Sequence, residues 1–287
     1  MSPWSVWVLE YAVAEEFPMS LAVYGAHNQG TRRAPFSYVV AKRGSQVVLI
    51  DIGFGSTVQQ RAIAEDSAVT DWRDPGTVLG QIGLRPEDVT HVVVTHAHYD
   101  HFGNSSAFPK AQFFMSAREV QFWVSELALP PELRTFVSPI DPADIVAAVD
   151  LAARGRLQLL SGAAEALFPG FDVLPAWDTH TPGSIYVRID TVDGPLVLAG
   201  DNVYSWDNVE GLDADGIYRP VGLVVGSNIA ATKILAEMMR YADGRPRRII
   251  PVHEDRLRLE YPSRQAENGA MIVEVTLAPG QASCLPG

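Results

Sequence analysis

Three histidines and one aspartate lie within six consecutive positions of the chain. The segment reads HAHYDH and contains His96, His98, Asp100 and His101. His96 and His98 are two residues apart and cannot share a helix face, but a loop that follows a strand can direct both imidazoles toward one centre. Asp100 and His101 are adjacent and would point apart, which suits a second centre. The spacing therefore predicts a site for two metal ions.

Three further candidate ligands follow at long intervals. His180 precedes a Pro-Gly turn in DTHTPGS, Asp201 ends a strand in VLAGDNVY, and His253 ends another in IIPVHED. Imidazole nitrogen and carboxylate oxygen together suit Zn²⁺, and manganese, iron or cobalt would also accept them. Two such ions about 3.5–4 Å apart can share a water and supply a bridging hydroxide at neutral pH. The ligands thus predict a metal-dependent hydrolase that needs no serine or cysteine nucleophile.

The HAHYDH segment fits the HxHxDH motif of the metallo-β-lactamase superfamily, and the three later candidates fall in the order of its remaining ligands. The chain therefore resembles that superfamily over almost its whole length. The resemblance implies a four-layer αβ/βα sandwich with the metals at one edge between two mixed sheets. It also implies that Asp201 bridges two metal ions. The first ion would be bound by His96, His98 and His180, and the second by Asp100, His101 and His253.

The residues after Asp201 resemble those of the quorum-quenching N-acyl-homoserine lactonases. Tyr204 lies three residues beyond Asp201, where those enzymes carry a tyrosine beside the substrate ester. By that resemblance Tyr204 would donate a hydrogen bond to the carbonyl or leaving oxygen, and Asp100 would return a proton to the alkoxide. Packing is the alternative role for Tyr204. The resemblance implies a lactone substrate and, because some related lactonases are dimers, leaves a homodimer open.

Two positions depart from the lactonase pattern. Ser184 stands where many lactonases have histidine, and Ile52 follows Asp51 where threonine is usual. Asp51 itself would either orient a metal ligand or cap a turn. The alternative enzymes of this fold are a glyoxalase-II-like thioesterase, a β-lactamase and an aryl or phosphotriester hydrolase. The non-enzyme alternative is a metal-binding redox module.

Predicted strands and helices alternate along the chain, which is typical of layered α/β proteins. Two strands joined by a tight turn are predicted within 36–53. Others are predicted at 91–95, 111–115, 156–160, 171–174, 184–190, 195–199 and 247–252. Helices are predicted at 56–66, 75–82, 117–126, 142–154 and 228–242, with Asp74, Asp141 and Ser227 as N-caps. The stretches 14–36 and 122–141 lack a clear period and would be binding loops, lids or cover for the core. No linker is evident, so one domain is expected over 1–287.

Composition excludes several classes of partner. The net charge of −12 opposes binding to nucleic acid or anionic membranes, which leaves a small-molecule substrate. The single cysteine, Cys284, excludes an internal disulfide and argues against a cysteine-rich metal site. The opening segment has no basic stretch followed by a long apolar run, and no stretch of about 18 apolar residues occurs. The sequence therefore predicts a cytoplasmic protein without a membrane span, although an export signal removed earlier would leave no trace.

Overall fold

Thirteen strands form two sheets in the computed structural model, which describes residues 3–285. The strands are β1 (Ser5–Pro18), β2 (Thr31–Arg43), β3 (Gln46–Ile50), β4 (His91–Val93), β5 (Gln112–Ser116), β6 (Leu157–Leu160), β7 (Ala164–Phe168), β8 (Phe171–Pro175), β9 (Ile185–Thr191), β10 (Gly194–Leu198), β11 (Ile249–Ile250), β12 (Ser263–Gln265) and β13 (Met271–Thr276). The eight-stranded sheet has the order β12-β13-β1-β2-β3-β4-β5-β6, and the five-stranded sheet has the order β11-β10-β9-β8-β7. Both sheets are mixed. In the larger sheet β3 to β6 pair in parallel, in the smaller sheet β11 pairs in parallel with β10, and the other neighbouring strands are antiparallel.

Nine α-helices connect or follow these strands in the described part of the chain. They are α1 (Met19–Ala22), α2 (Val58–Asp66), α3 (Pro75–Leu79), α4 (Tyr99–Phe102), α5 (Ala117–Leu127), α6 (Pro142–Ala153), α7 (Asp207–Glu210), α8 (Asn228–Tyr241) and α9 (Leu257–Glu260). The three predicted N-caps are observed. The side chains of Asp74, Asp141 and Ser227 accept hydrogen bonds from the backbone N–H groups of Thr77, Ala143 and Ala230.

Three apolar clusters hold the layers together. Alternate residues of one strand face opposite sides of the sheet, so Val39 packs between the sheets while Val40 packs beneath the helices. On the outer face of the larger sheet lie residues of α2, α3, α5 and α6, including the buried Trp123. Leu235 and Met238 of α8 cover the outer face of the smaller sheet. The predicted four-layer αβ/βα sandwich is confirmed.

The prediction of an irregular stretch at 14–36 is largely wrong. β1 continues to Pro18 and β2 begins at Thr31, so the segment between them is about half as long as expected. The sequence pattern did not indicate β1, because its first ten residues are all buried and do not alternate between polar and apolar types. β1 also contains register shifts between Glu10 and Ala12 and between Ala14 and Phe17. Its other neighbour, β13, was not predicted either.

The stretch 122–141 also differs in part from its prediction. α5 extends to Leu127, and single 3₁₀ turns at Pro131–Leu133 and Thr135–Val137 follow before α6. The strand predicted at 247–252 is reduced to β11, which pairs with β10 over two residues. Within residues 3–285, none of the helices has the length and apolar character needed to cross a membrane.

Candidate metal centre

The HAHYDH segment leaves the end of β4 as a loop and then forms the short helix α4. All four candidate ligands in it are buried. Asp100 and His101 do not point apart as predicted, because they lie on a helical turn rather than on an extended chain. Their side chains converge, with Asp100 Oδ2 3.4 Å from His101 Nε2.

The other three candidates come from the second half of the chain. His180 lies in the loop between β8 and β9, Asp201 follows β10 in a 3₁₀ turn, and His253 follows β11. Gly200 allows Asp201 to approach the end of β4. Gly200 has a φ of 53°, and a Cβ added to Gly200 would lie 2.7 Å from Thr95 Oγ1. A larger residue at this position would push the two strand ends apart.

The seven side chains form two neighbouring groups, within each of which the potential ligand atoms lie within 4.8 Å of one another. The first group contains His96, His98, His180 and Asp201, and the second contains Asp100, His101 and His253. Asp201 faces both groups. Its Oδ1 lies 3.1 Å from Nε2 of His101 and of His253, and its Oδ2 lies 3.4 Å from His180 Nε2. This geometry suits a carboxylate that bridges two cations.

Hydrogen bonds to the outer ring nitrogens orient four of the five imidazoles. Nδ1 of His101 contacts Asp51 Oδ2 at 2.7 Å, and Nδ1 of His96 contacts Thr95 Oγ1 at 3.0 Å. The other two Nδ1 atoms contact backbone carbonyls, His180 with Leu223 at 2.6 Å and His253 with Pro35 at 2.8 Å. Such contacts leave the Nε2 lone pair free to bind a metal ion.

Buried ligand atoms without partners support the fit to metal ions. Nε2 of His96 is buried and has no hydrogen-bond partner among the residues that the structure describes. Nε2 of His101 and Oδ1 of Asp201 are also buried and, although they lie 3.1 Å apart, they do not have the geometry of a hydrogen bond. Moreover, His180 Nε2 lies 3.1 Å from His98 Nδ1, so two ring nitrogens face each other. Buried polar atoms are rarely left without partners, and a divalent cation would satisfy all of these. The residues therefore fit two divalent metal ions.

The charges of the cluster agree with this fit. Burial lowers the pKa of His96 well below its ordinary value and lowers that of His98 to about 3, so both imidazoles are neutral. Burial also opposes the charged form of His101, but the surrounding carboxylates, above all Asp201, raise the pKa of His101 well above its usual range. The site thus stabilises positive charge between carboxylates, which a metal ion would supply.

Tyr204 lies directly beside the two groups. Its ring centroid is 4.9 Å from that of His253 and 5.8 Å from that of His180, and the residue is 6% exposed. Burial, together with the nearby Asp201, raises the pKa of Tyr204 well above its usual value, so its hydroxyl remains a hydrogen-bond donor. Asn208 holds this segment in place and was not predicted. Its Oδ1 accepts from the N–H groups of Tyr204 and Ser205 at 2.9 and 3.0 Å.

A cavity of about 540 Å³ opens above the ligand groups. Its floor contains candidate ligands and Tyr204, and its walls are mostly apolar. The apolar wall residues are Phe17, Phe36, Ile63, Phe136, Pro139, Leu223, Val224 and Val225. Phe17 and Phe136 come from the two stretches predicted to be loops or lids. Of the apolar residues Phe122, Trp123, Leu127, Leu129 and Phe136 in the stretch 122–141, only Phe136 lines the cavity.

Comparison with known proteins agrees with this arrangement. Residues 30–253 match the metallo-beta-lactamase superfamily, and the chain belongs to that superfamily. A probable metallo-hydrolase of Mycobacterium tuberculosis is 29% identical over 108 residues, which is 31% of each chain. An N-acyl homoserine lactonase from a Bacillus species is 24% identical over 140 residues, which is 46% of each chain. The chain thus spans only about a third to a half of the length of these two relatives.

Solved structures resemble the chain over more of its length. AidC, described as a dizinc quorum-quenching lactonase in complex with a product, superposes on this chain with a TM-score of 0.64. The superposition covers 96% of each chain. Its sequence identity is 17%, so this likeness concerns the fold.

Proposed function

We propose that this protein is a dinuclear metal hydrolase that opens lactones, with an N-acyl-homoserine lactone as the model substrate. The position of Tyr204 carries the proposal, because its hydroxyl-bearing ring lies against His180 and His253 at the floor of an apolar cavity. The likeness to AidC and to the Bacillus lactonase supports it. The acyl chain of such a substrate would contact the apolar walls.

The residues of the chain have separate roles in this reaction. His96, His98 and His180 would hold one metal ion, Asp100, His101 and His253 the other, and Asp201 would contact both. Bound at these ligands, two divalent ions would lower the pKa of a water molecule from 15.7 toward about 7 and polarise the ester carbonyl. Tyr204 would donate a hydrogen bond to the substrate carbonyl or leaving oxygen.

Ring opening also requires a proton at the leaving group. The oxygen of water adds to the carbonyl carbon, the ring C–O bond breaks, and the departing alkoxide must be protonated. Asp100 lines the cavity and is 8% exposed, so its carboxylate can take a proton from the attacking water and pass it to the departing alkoxide. The net reaction consumes one water and yields a hydroxy acid.

The charge of the cavity favours a neutral substrate. Among residues 3–285, no lysine or arginine lines the cavity, whereas Asp66, Asp100 and Asp201 do. Away from the metal ions, a substrate with its own carboxylate or phosphate would find no basic side chain in these walls. This argues against a β-lactam or a glutathione thioester, both of which are anionic, and it favours an uncharged ester ring.

Metal analysis combined with a hydrolysis screen tests the proposal. The purified protein would be loaded with Zn²⁺ and assayed against lactones of several acyl lengths, thioesters, β-lactams, aryl esters and phosphotriesters. We expect two equivalents of metal and the highest kcat/KM on lactones with an apolar chain. The Asp201→Ala variant, purified in parallel, controls for contaminating hydrolases. A loaded protein that leaves every lactone intact but cleaves another class would overturn the proposal.

A further inference from the structure

One buried carboxylate connects the two loops that carry His96, His98 and His180. Glu119 lies in the first turn of α5 and is 0% exposed. Its Oε1 accepts hydrogen bonds from Ala97 N at 2.9 Å and Trp123 Nε1 at 2.6 Å. Its Oε2 accepts from Thr181 Oγ1 at 2.7 Å and Gly183 N at 3.0 Å. Four donors from three separate segments thus meet at one side chain.

These donors lie next to the histidines of the first group. Ala97 separates His96 from His98, and Thr181 follows His180 directly. Gly183 brings the second loop against α5, because an added Cβ there would lie 2.2 Å from Glu119 N. Glu119 therefore joins the loop after β4 to the loop after β8.

The orientation of His98 depends on the same carboxylate. Nε2 of His98 is buried and has no hydrogen-bond partner within the described ranges, unlike the outer nitrogens of the other four imidazoles. Instead the His98 ring packs on Trp123, with centroids 5.7 Å apart. The Trp123 ring is itself held by its hydrogen bond to Glu119. The contact between His98 and Trp123 and the hydrogen bond between Trp123 and Glu119 thus take the place of the missing hydrogen bond.

We propose that Glu119 is a positioning residue that sets the metal affinity of the group formed by His96, His98 and His180 without binding the metal itself. The inference rests on the metal binding in the proposed function and does not depend on the lactone substrate. Outer residues that hold metal ligands in place commonly change metal affinity by about 10–100-fold when they are replaced.

Replacing Glu119 by glutamine separates this role from simple packing. Glutamine has nearly the same shape, but only one of its two terminal atoms can accept hydrogen bonds. Its amide would face either Ala97 N and Trp123 Nε1, or Thr181 Oγ1 and Gly183 N. The Thr181 hydroxyl can rotate and accept, but a backbone N–H of Ala97 or of Gly183 would then face a donor, and one of the two loops would lose that anchor.

Titration with Co²⁺ alone tests the proposal on the full chain. Protein stripped of metal with a chelator would be titrated against a competing chromophoric chelator while the visible absorption of bound Co²⁺ is recorded. We expect the native protein to bind two equivalents, and Glu119→Gln to bind one of them about 10–100-fold more weakly with an altered spectrum. Glu274→Gln is the matched control, because Glu274 is 5% exposed and accepts hydrogen bonds from Ser283 and Cys284 outside the cluster.

A second variant covers the case in which Glu119→Gln fails to fold. Thr181→Val removes one of the four donors and leaves the carboxylate charge, so a smaller loss of affinity at the same site is expected. Unchanged affinity and spectrum in a folded Glu119→Gln protein, or in Thr181→Val if only that variant folds, would overturn the proposal. A native protein that binds two Co²⁺ ions but opens no lactone would contradict only the proposed substrate. A native protein that binds no Co²⁺ would contradict both.

Discussion

The carboxylate of Asp51 contacts the outer nitrogen of His101, with Oδ2 and Nδ1 2.7 Å apart. The same carboxylate accepts hydrogen bonds from the backbone and hydroxyl of Thr95, both at 2.8 Å. Asp51 has a φ of 62°, a conformation that aspartate tolerates better than most residues. It therefore contacts a candidate ligand and also holds the loop after β4.

Asp51→Asn should weaken metal binding at the second group. Asparagine can still accept through one oxygen, but it lacks the charge that would make His101 a stronger metal ligand. We expect the affinity of one metal equivalent to fall about 10–100-fold, measured by competition with a chelator. Asp74→Asn is the control, because asparagine caps helices as well as aspartate does. Equal affinities in the two variants would contradict the orienting role.

Removing a candidate ligand should abolish turnover together with metal content. Asp201→Ala deletes the carboxylate that faces both groups, and His180→Ala deletes one imidazole of the first group. We expect hydrolysis to fall to the rate in buffer, and elemental analysis to show fewer than two metal ions per chain. Circular dichroism would verify that the variants are folded. A variant that retains the native rate after losing its metal would refute the assignment.

Tyr204→Phe should separate catalysis from metal binding. A hydrogen bond to a charged group contributes about 1.5–3 kcal/mol, so its loss from the transition state would lower kcat by about 10–100-fold. We expect metal content to stay at the native level. Tyr38→Phe is the matched control, because the Tyr38 hydroxyl donates to Pro75 O at 2.7 Å and lies outside the cavity. Full activity in Tyr204→Phe would remove the tyrosine from the reaction.

A buried acid on α6 should make stability depend on pH. Burial, with a smaller contribution from Asp141, raises the pKa of Asp144 from 3.8 to about 7. The folded state holds this proton more tightly than the unfolded state does. The destabilisation caused by the buried carboxylate is therefore absent below the unfolded pKa, grows as pH rises from about 4 to about 7, and is complete above the folded pKa. We therefore expect Asp144→Asn to stabilise the protein most at high pH.

The expected gain in the free energy of unfolding is about 1–3 kcal/mol at pH 8, since one pKa unit corresponds to about 1.4 kcal/mol. At pH 5 the gain should be much smaller. Urea denaturation at the two pH values measures it. Asp150→Asn, an exposed position on the same helix, should show no such trend. A gain for Asp144→Asn that does not change with pH would show that the carboxylate is ionised throughout.

The sequence by itself determined the candidate ligands and the type of fold. HAHYDH concentrates four of the seven candidates, and the other three follow predicted strands or precede a turn. Helix starts were also readable, because an N-cap such as Asp141 acts on a residue only two positions away. These features depend on neighbours in sequence, so a local pattern contains them.

Only the tertiary structure decided how the site is held and what lines it. Glu119 binds donors 22, 62 and 64 positions away, and no pattern around it indicates those partners. Phe17 reaches the cavity because β1 pairs with β2 across shifts in register, which a buried strand without alternation does not reveal. Contacts between distant segments depend on the packing of whole layers. For this reason the candidate ligands could be predicted from short stretches, whereas the support and the walls of the site could not.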